Sequence, residues 1–516
     1  MPVVNDVHSR LNPTTVPEVL RPETTEELRA IVAMAVARGQ SLAVCGGRHA
    51  MGGQQFASGH ALIDTSSLNR PIALDARRGL LTIEAGANWQ QIIRATHDLQ
   101  PGGISWAVRQ KQTGADSLSL GGSIACNAHG RGLRFPPLIN DIESLDLITP
   151  DADLISVSRT SHADLFPLVV GGYGLFGIIA RATLRLTPRR KLRRVVDIID
   201  LDDATSAFWR RIDQGCLYGD FQYAIDPSDD SFLRRGVMAC YQPVPDDTPI
   251  DSADAGLPKD AWLELLTLAH RDPREAFRRY SLHYLASHGR VYWSDTMQLS
   301  TYIPTYSSWV EASLRDADPH PHAPSHSIGA ARRRSVPRPH PDRSLMITEL
   351  YVPPGELNTF MAHARRILRQ SGVQDIYGTI RAIRKDTESF LPWAKDDSAC
   401  IIFNLLTEHT SAGIERTRKA CRALIDAAAD LGGSFYLTYH RWASREQLLR
   451  CHPRLPEFLK HKERHDPRHV FESDWHRHLR RTLHGTGLTP PGTRSCSSSL
   501  PRPAVPSFPG SPRTQS

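Results

Sequence analysis

No stretch of this chain approaches the roughly 18 consecutive apolar residues of a membrane-spanning helix, so the sequence predicts none. Its eight cysteines, at 45, 126, 216, 240, 400, 421, 451 and 496, include no CxxC pair. That argues against zinc and against a disulfide framework. The opening residues, MPVVNDVHSRLNPTT, have no apolar core behind a basic start, so a secretory signal is not expected and a reducing cytoplasm fits best. GxxxxGK[ST] is missing, which excludes a P-loop kinase or ATPase, and no GxGxxG leads directly into a helix, which disfavours a Rossmann site. No internal repeat is present.

Acidic residues are scarce in two segments, and these account for most of the formal charge of +7. Residues 317–343 carry five arginines against Asp318 and Asp342, and residues 485–516 carry Arg494, Arg502 and Arg513 with no acid. Each segment contributes +3, which leaves +1 for everything else. A nucleic-acid-binding fold concentrates charge on a folded face. Here the charge lies in Pro-rich sequence without periodicity, the composition of disordered chain. No nucleic-acid partner is expected.

At 516 residues the chain is too long for one ordinary core, and two domains plus extra segments are expected. In PETTEELRAIVAMAVARGQSLAVC, Thr24 or Thr25 can cap a helix with Glu26 and Glu27 in its first turn. Leu28, Ile31, Val32 and Ala35 follow at helical spacing, Gly39 closes the helix, and SLAVC reads as a strand. Further strands at ALIDTSSL, GLLTIEAGA and LDLITPDADLISVS give an α+β unit over 1–190, which PRRKLRR at 188–194 leaves. From 195 to about 310, polar stretches alternate with strand-like runs such as YGDFQYAI and GRVYWSDTMQLS. LMITELYV, DIYGTIRAI, ACIIFNLL and SFYLTYHRW then read as strands, with helical patterns at LNTFMAHARRILRQSG and GIERTRKACRALIDAAADLGG. Residues 191–435 therefore read as an antiparallel sheet backed by helices, with 317–343 a disordered insert, 436–484 a separate C-terminal segment and 485–516 a disordered tail.

Three Gly-rich turns carry the chemistry. VCGGRHAMGGQQF (44–56) follows a strand with four glycines in ten residues, and successive backbone N–H groups in such a turn form an anion-binding concavity. Alone it is equally a tight connection. SLSLGGSIACNAHGRG (117–132) and VVGGYGLFGIIARATLRL (169–186) repeat the feature at strand edges, as a long phosphate-bearing ligand touched at several places requires.

The order and wording of these turns resemble the FAD domain of the vanillyl-alcohol-oxidase (PCMH-type) family, nearest its sugar and aldonolactone oxidase and decaprenylphosphoryl-ribose oxidase branch. The resemblance covers roughly residues 17–190 and implies a two-subdomain FAD-binding domain followed by a substrate domain. In that family the first turn wraps the pyrophosphate, here Gly46, Gly47, Arg48, His49, Ala50, Gly53 and Gln54. The motif GG-x-x-A-x-x-x-HG maps to Gly121, Gly122, Ala125, His129 and Gly130. The motif GG-x-G-x-x-GI-x-x-x-AT maps to Gly171, Gly172, Gly174, Gly177, Ile178, Ala182 and Thr183. Many members bond the flavin covalently to a histidine of GxGHS. His49 stands in register with it, while Arg48 replaces the second glycine. The resemblance thus implies FAD, with covalent attachment through His49 as one form and a hydrogen-bonding His49 as the other.

Period-2 reading of the late strands finds the groups such an enzyme needs over a flavin. Ile347, Glu349 and Tyr351 share one face; so do Tyr377, Thr379 and Arg381, and so do Tyr436, Thr438 and His440. Asn404 lies opposite the face of Ile401, Phe403 and Leu405. Polar faces on such strands fit a sheet side that meets water or a substrate cavity; the resemblance favours the cavity. The C-terminal DP-x-x-x-F-x-S-D element (Asp466, Pro467, Phe471, Ser473, Asp474) resembles the segment that returns the sugar-oxidising branch to its FAD domain. That branch has a catalytic lysine near Tyr439, lacking here, and a second lysine where Arg381 stands. His440 and Tyr439 are the local replacements for the base, His440 with a reference pKa near 6.5, and Arg381 suits an alkoxide or the reduced flavin's charge. The implied function is oxidation of a hydroxyl on a small-molecule sugar, polyol, aldonolactone or lipid-linked sugar, passing electrons to O2, a quinone or another carrier. Flavin-dependent C=C reduction and a flavin-binding protein without turnover are the alternatives.

Overall fold

The structure, a computed structural model, describes residues 1–250, 259–299 and 342–484. The expectation of disorder for 485–516, and for 317–343 apart from its last two residues, lies outside these.

Helix Thr25–Ala37 starts where the Thr24 hydroxyl accepts the Glu27 N–H, and it buries Leu28, Val32 and Ala35. Gly39, at φ +61°, turns the chain back into strand Leu42–Cys45. That strand lies parallel to Ala61–Asp64, which pairs in turn with Val19–Leu20. An antiparallel sheet of five strands carries Leu154–Ser158, Ile142–Ile148, Ile178–Arg185, Leu80–Glu84 and Pro71–Asp75 in that spatial order.

The largest sheet has eight antiparallel strands. Their order is Val291–Trp293, Lys191–Asp200, Arg235–Val244, Tyr218–Tyr223, Asp375–Ile383, Ser398–Glu408, Arg343–Val352 and Ser434–Phe435. Helices Leu357–Ser371 and Ser411–Asp430 pack together on it. On Ser398–Glu408, Ile401, Phe403 and Leu405 enter the core with Leu424 and Ile425 of the second helix, while Ile402 and Asn404 face the other way into a cavity. The strand is thus buried on both faces, one apolar and one polar.

Several elements depart from the sequence reading. Helices Lys259–Arg271 and Pro273–Ala286 occupy part of the stretch read as polar connections. The second carries a legible start signal, Asp272 accepting the Glu275 N–H with Pro273 next. The expected strand SFYLTYHRW pairs with the sheet only at Ser434–Phe435. Beyond Tyr436 its backbone serves the first Gly-rich turn instead: the Thr438 carbonyl accepts the N–H groups of Met51 and Gly52, both at 3.1 Å. The Leu437 carbonyl accepts Gln54 Nε2 at 2.8 Å.

The C-terminal motif folds around a buried lysine on helix Leu455–His465. Lys462 Nζ donates to the carbonyls of Leu175 and Phe471, each at 2.8 Å, and to the Asp466 carboxylate. Asp466 also accepts the N–H groups of Val470 and Phe471. The segment then pairs with Leu42 through Val470 O and Glu472 N, and Asp474 accepts the hydroxyl and N–H of Ser58. Both charges of this pair are fully buried, so removing one leaves the other uncompensated. Lys462→Met is expected to lower the unfolding free energy by about 3–5 kcal/mol. Lys462→Met with Asp466→Asn should cost less than the two single losses added together. Additive losses in denaturant titrations would show that the pair is not coupled.

Candidate active site

A cavity of about 400 Å³ lies between the three Gly-rich turns and the polar face of the eight-stranded sheet. The first turn lines it with Gly46, Gly47, Arg48, His49, Ala50, Gln54 and Gln55. The second contributes Ser119, Gly121, Gly122, Ala125 and Cys126, and the third Tyr173, Gly174, Gly177 and Ile178. Across from them stand Ile347, Tyr377, Thr379, Arg381, Ile402 and Asn404, with Tyr436, Thr438 and Tyr439 from the C-terminal crossing.

The glycines are forced by contact. A Cβ on Gly46 would lie 2.0 Å from Ser119 Oγ, so the first and second turns touch only without a side chain there. Gly177 holds φ +152° and a Cβ on it would come within 2.8 Å of the Ile148 carbonyl. Arg48 takes the left-handed conformation, φ +57°, where the family's glycine is expected, and its guanidinium holds Asp64 at 2.8 Å.

Gly53, His129, Gly130 and Gly172 are not on the wall, nor are Gly171, Ala182 and Thr183 of the third motif. Gly172 and Gly130 serve close backbone packing, a Cβ meeting the Leu168 carbonyl at 1.9 Å and the Lys111 carbonyl at 2.7 Å. Gly53, at φ +76°, completes the first turn. His129 sits behind the wall, where Nε2 meets Glu349 Oε1 at 2.7 Å and Nδ1 lies 2.9 Å from the Gly130 carbonyl.

Among the expected catalytic residues, Arg381, Asn404 and Tyr439 reach the cavity and Glu349 stands one layer back. Glu349 accepts the hydroxyls of Tyr351 and, at 3.3 Å, Tyr439. Burial alone would raise its pKa, but His129, Tyr351 and Arg381 hold it below the usual carboxylate range. Burial, then Glu349, pushes the Tyr439 phenol well above its ordinary value. His440 does not reach the cavity. Its ring stacks on Trp442 at 5.2 Å and parallel to Phe435 at 6.3 Å, and burial lowers its pKa to about 4. The period-2 reading aimed it wrongly because the chain has already left the sheet at Tyr436.

His49 is on the wall, with Nδ1 2.7 Å from His8 Nε2 and Nε2 3.1 Å from Ser117 Oγ. Burial and the neighbouring His8 lower its pKa to about 3, so the imidazole is neutral at pH 7. His8 was not singled out from the sequence, nor was the segment around Gln112, whose Nε2 lies 3.4 Å from the Tyr439 hydroxyl. Next to it Lys111 and Asp116 form a buried ion pair at 2.6 Å. The only hint of these was a polar RQKQTGADS directly before the second Gly-rich turn.

Several buried polar atoms on the wall have no hydrogen-bond partner among the described residues: Oε1 of Gln54, Gln55 and Gln112, Thr438 Oγ1, and Nε and Nη1 of Arg381. Orphans of this kind call for a ligand rich in donors and acceptors. Glycine turns open to its phosphates, facing a polar sheet, fit FAD.

The comparisons with known proteins agree. A family described as FAD binding domain matches residues 17–158. An oxidoreductase from the fasciation locus of Rhodococcoides fascians is 34% identical over 171 residues, covering 33% of this chain and 37% of its own. Cytokinin dehydrogenase 7 of Oryza sativa subsp. japonica is 33% identical over 201 residues, 36% of each chain. The mitochondrial L-galactono-1,4-lactone dehydrogenase 1 of the same plant is 27% identical over 198 residues, 37% of this chain and 32% of its own. The chain thus spans about a third of the length of these relatives. Residues 17–158 thus carry an FAD-binding domain of the PCMH type, which these relatives resemble in sequence.

Proposed function

We propose that the protein is an FAD-dependent oxidoreductase that oxidises a hydroxyl of a sugar, polyol, aldonolactone or lipid-linked sugar and passes the electrons to O2, a quinone or another carrier. The observation that carries this reading is the cavity itself, with cofactor-type turns on one wall and Tyr377, Arg381, Asn404 and Tyr439 on the other. The relative named a galactonolactone dehydrogenase supports the CH–OH chemistry. Among the described residues no helix is long and apolar enough to cross a membrane.

FAD, when bound, supplies a hydride acceptor at N5. The chain's own residues handle the proton. With its pKa raised, Tyr439 is neutral at pH 7 and is no base by itself. Its hydroxyl donates to an ionised Glu349, however, so it can accept the substrate's hydroxyl proton as it releases its own to Glu349 Oε2. His129, 2.7 Å from Glu349 Oε1, orients that carboxylate from behind the wall. Asn404 Nδ2 is held by the Tyr377 carbonyl at 2.7 Å, which leaves its amide oxygen to meet a substrate hydroxyl.

An anaerobic screen that follows bleaching of the oxidised flavin tests the reading. Sugars, sugar acids, lactones, polyols and lipid-linked sugars that all leave the flavin oxidised would refute it. With an active substrate in hand, Tyr439→Phe and Glu349→Gln should each slow flavin reduction by roughly two to four orders of magnitude while FAD content is kept. His440→Gln should stay within a few-fold of wild type. Rates reversed in order would return the proton to His440.

The neutral His49, with His8 placed to accept a proton from Nδ1, suits covalent attachment of the flavin. Acid-precipitated wild type is expected to keep its flavin in the pellet, and His49→Ala to release all of it. Flavin wholly in the wild-type supernatant would show that His49 only hydrogen-bonds the cofactor.

A further inference from the structure

Two histidines of the C-terminal segment are wired alike, and the cavity uses neither. His476, on helix Asp474–His484, is fully buried. Its Nδ1 meets Glu472 Oε1 at 2.7 Å, and its Nε2 has no hydrogen-bond partner among the described residues. On half-buried His469, Nε2 lies 3.2 Å from Glu463 Oε2, and Nδ1 is likewise buried without a hydrogen-bond partner among the described residues. Each imidazole thus has one nitrogen on a carboxylate and the other left over. A carboxylate on the far nitrogen is the arrangement that fixes the tautomer of a metal-binding imidazole and raises its basicity. With no ligand, the second nitrogen is a buried polar atom whose desolvation nothing offsets.

Glu472 completes the set. Its Oε2 is 3.9 Å from His469 Nδ1, and the two imidazole centroids are 5.9 Å apart. His469, Glu472 and His476 offer ligand atoms that all lie within 4.8 Å of one another. Tetrahedral zinc, with bonds of about 2.0–2.2 Å, holds its ligand atoms about 3.4 Å apart, so side-chain rotation alone closes the cluster. The surrounding cations already face acids: Lys462 binds Asp466, Arg477 lies 3.4 Å from Asp474 and Arg480 lies 3.7 Å from Glu463. The scattered cysteines argue only against zinc held by thiolates. Two nitrogens and one carboxylate suit zinc and the late first-row divalent ions, whereas calcium and magnesium take sets made of oxygen.

We propose that His469, Glu472 and His476 form a structural zinc site, with solvent in the fourth position beside half-buried His469. The ligands bracket the place where the C-terminal segment joins the FAD-binding part of the chain. The Val470 carbonyl and the Glu472 N–H pair with Leu42 on the strand that leads into the first Gly-rich turn. Ser473 Oγ accepts the His476 N–H in the first turn of the helix that carries that ligand. One ion therefore fastens the paired segment to the helix, one residue on from the Phe471 carbonyl that Lys462 holds.

The test takes the untagged, FAD-loaded full chain after dialysis against a chelator, titrates it calorimetrically with zinc chloride and melts it with and without the metal. Wild type should take up one zinc per chain at micromolar affinity or tighter, and should melt about 3 °C higher with zinc at a hundredfold excess over its Kd. His469→Ala and Glu472→Gln should each weaken zinc by about a hundredfold and abolish the shift, with FAD content unchanged. His476→Asn should do the same; should it fail to fold, the other two variants decide. Magnesium chloride should give no shift. A wild type that takes up no zinc, or that melts higher by the same amount with magnesium, overturns the proposal. Zinc held equally well by His469→Ala and Glu472→Gln also overturns it and puts the ion elsewhere, for example on His320, His322 and His326 of the sequence.

Discussion

The geometry of the cavity depends on one buried ammonium. Lys462 has three N–H donors and three acceptors, Asp466 and the carbonyls of Leu175 and Phe471, so a charge with no solvent exposure is fully satisfied. Each acceptor belongs to a different piece of the site. Leu175 sits inside the third Gly-rich turn, between Gly174 and Gly177, both on the cavity wall. Phe471 lies beside Leu42 at the start of the strand that runs into Gly46 and Gly47. Asp466 closes the helix on which Lys462 stands. The knot therefore sets the third turn against the root of the first, beside the packed side chains of Leu42, Ile178 and Phe471.

The first turn is braced from two further directions. Asp6 accepts the N–H of Ser9 and the amide of Asn12, and Asn12 passes a hydrogen bond to the Met51 carbonyl at 2.7 Å. The Thr438 and Leu437 carbonyls hold the turn from the opposite side. The same crossing that leaves the sheet after Phe435 thus fixes the turn and delivers Tyr439 to the wall. This is why the last expected strand is cut short: its backbone groups are satisfied by the turn and not by a neighbouring strand.

Much of the fold was legible because its signals are local. The Thr24 cap, the Leu28–Val32–Ala35 stripe and Gly39 specify a helix and its exit without outside help. The alternation in ACIIFNLL specifies which side of the strand meets the helices and which side carries Asn404. The Gly-rich turns were legible for a steric reason, since side chains at Gly46 and Gly177 would collide with atoms more than 25 residues away in sequence. The parts that were not legible depend on partners the sequence does not index. Nothing in the spelling of His440 says that its ring is closed in by Phe435 and Trp442. His129 looked like a cofactor ligand but serves Glu349, 220 residues away.

Glu349 and Arg381 show what the sequence pattern leaves open and the packing decides. Both are ionisable, both sit on inner strands of the same sheet, and both were read from the same alternation. The interior treats them oppositely. Glu349 is surrounded by donors, so its charge is stabilised without any ligand and it stays ionised beside Tyr439. Arg381 feels the attraction of Glu349 but has no hydrogen-bond acceptor for Nε and Nη1 among the described residues. A protein interior keeps a satisfied charge as part of its structure and an unsatisfied one only where binding repays the desolvation. The two strands thus carry a carboxylate kept ionised just behind the cavity wall and a guanidinium on the wall itself, with donors left over for a ligand.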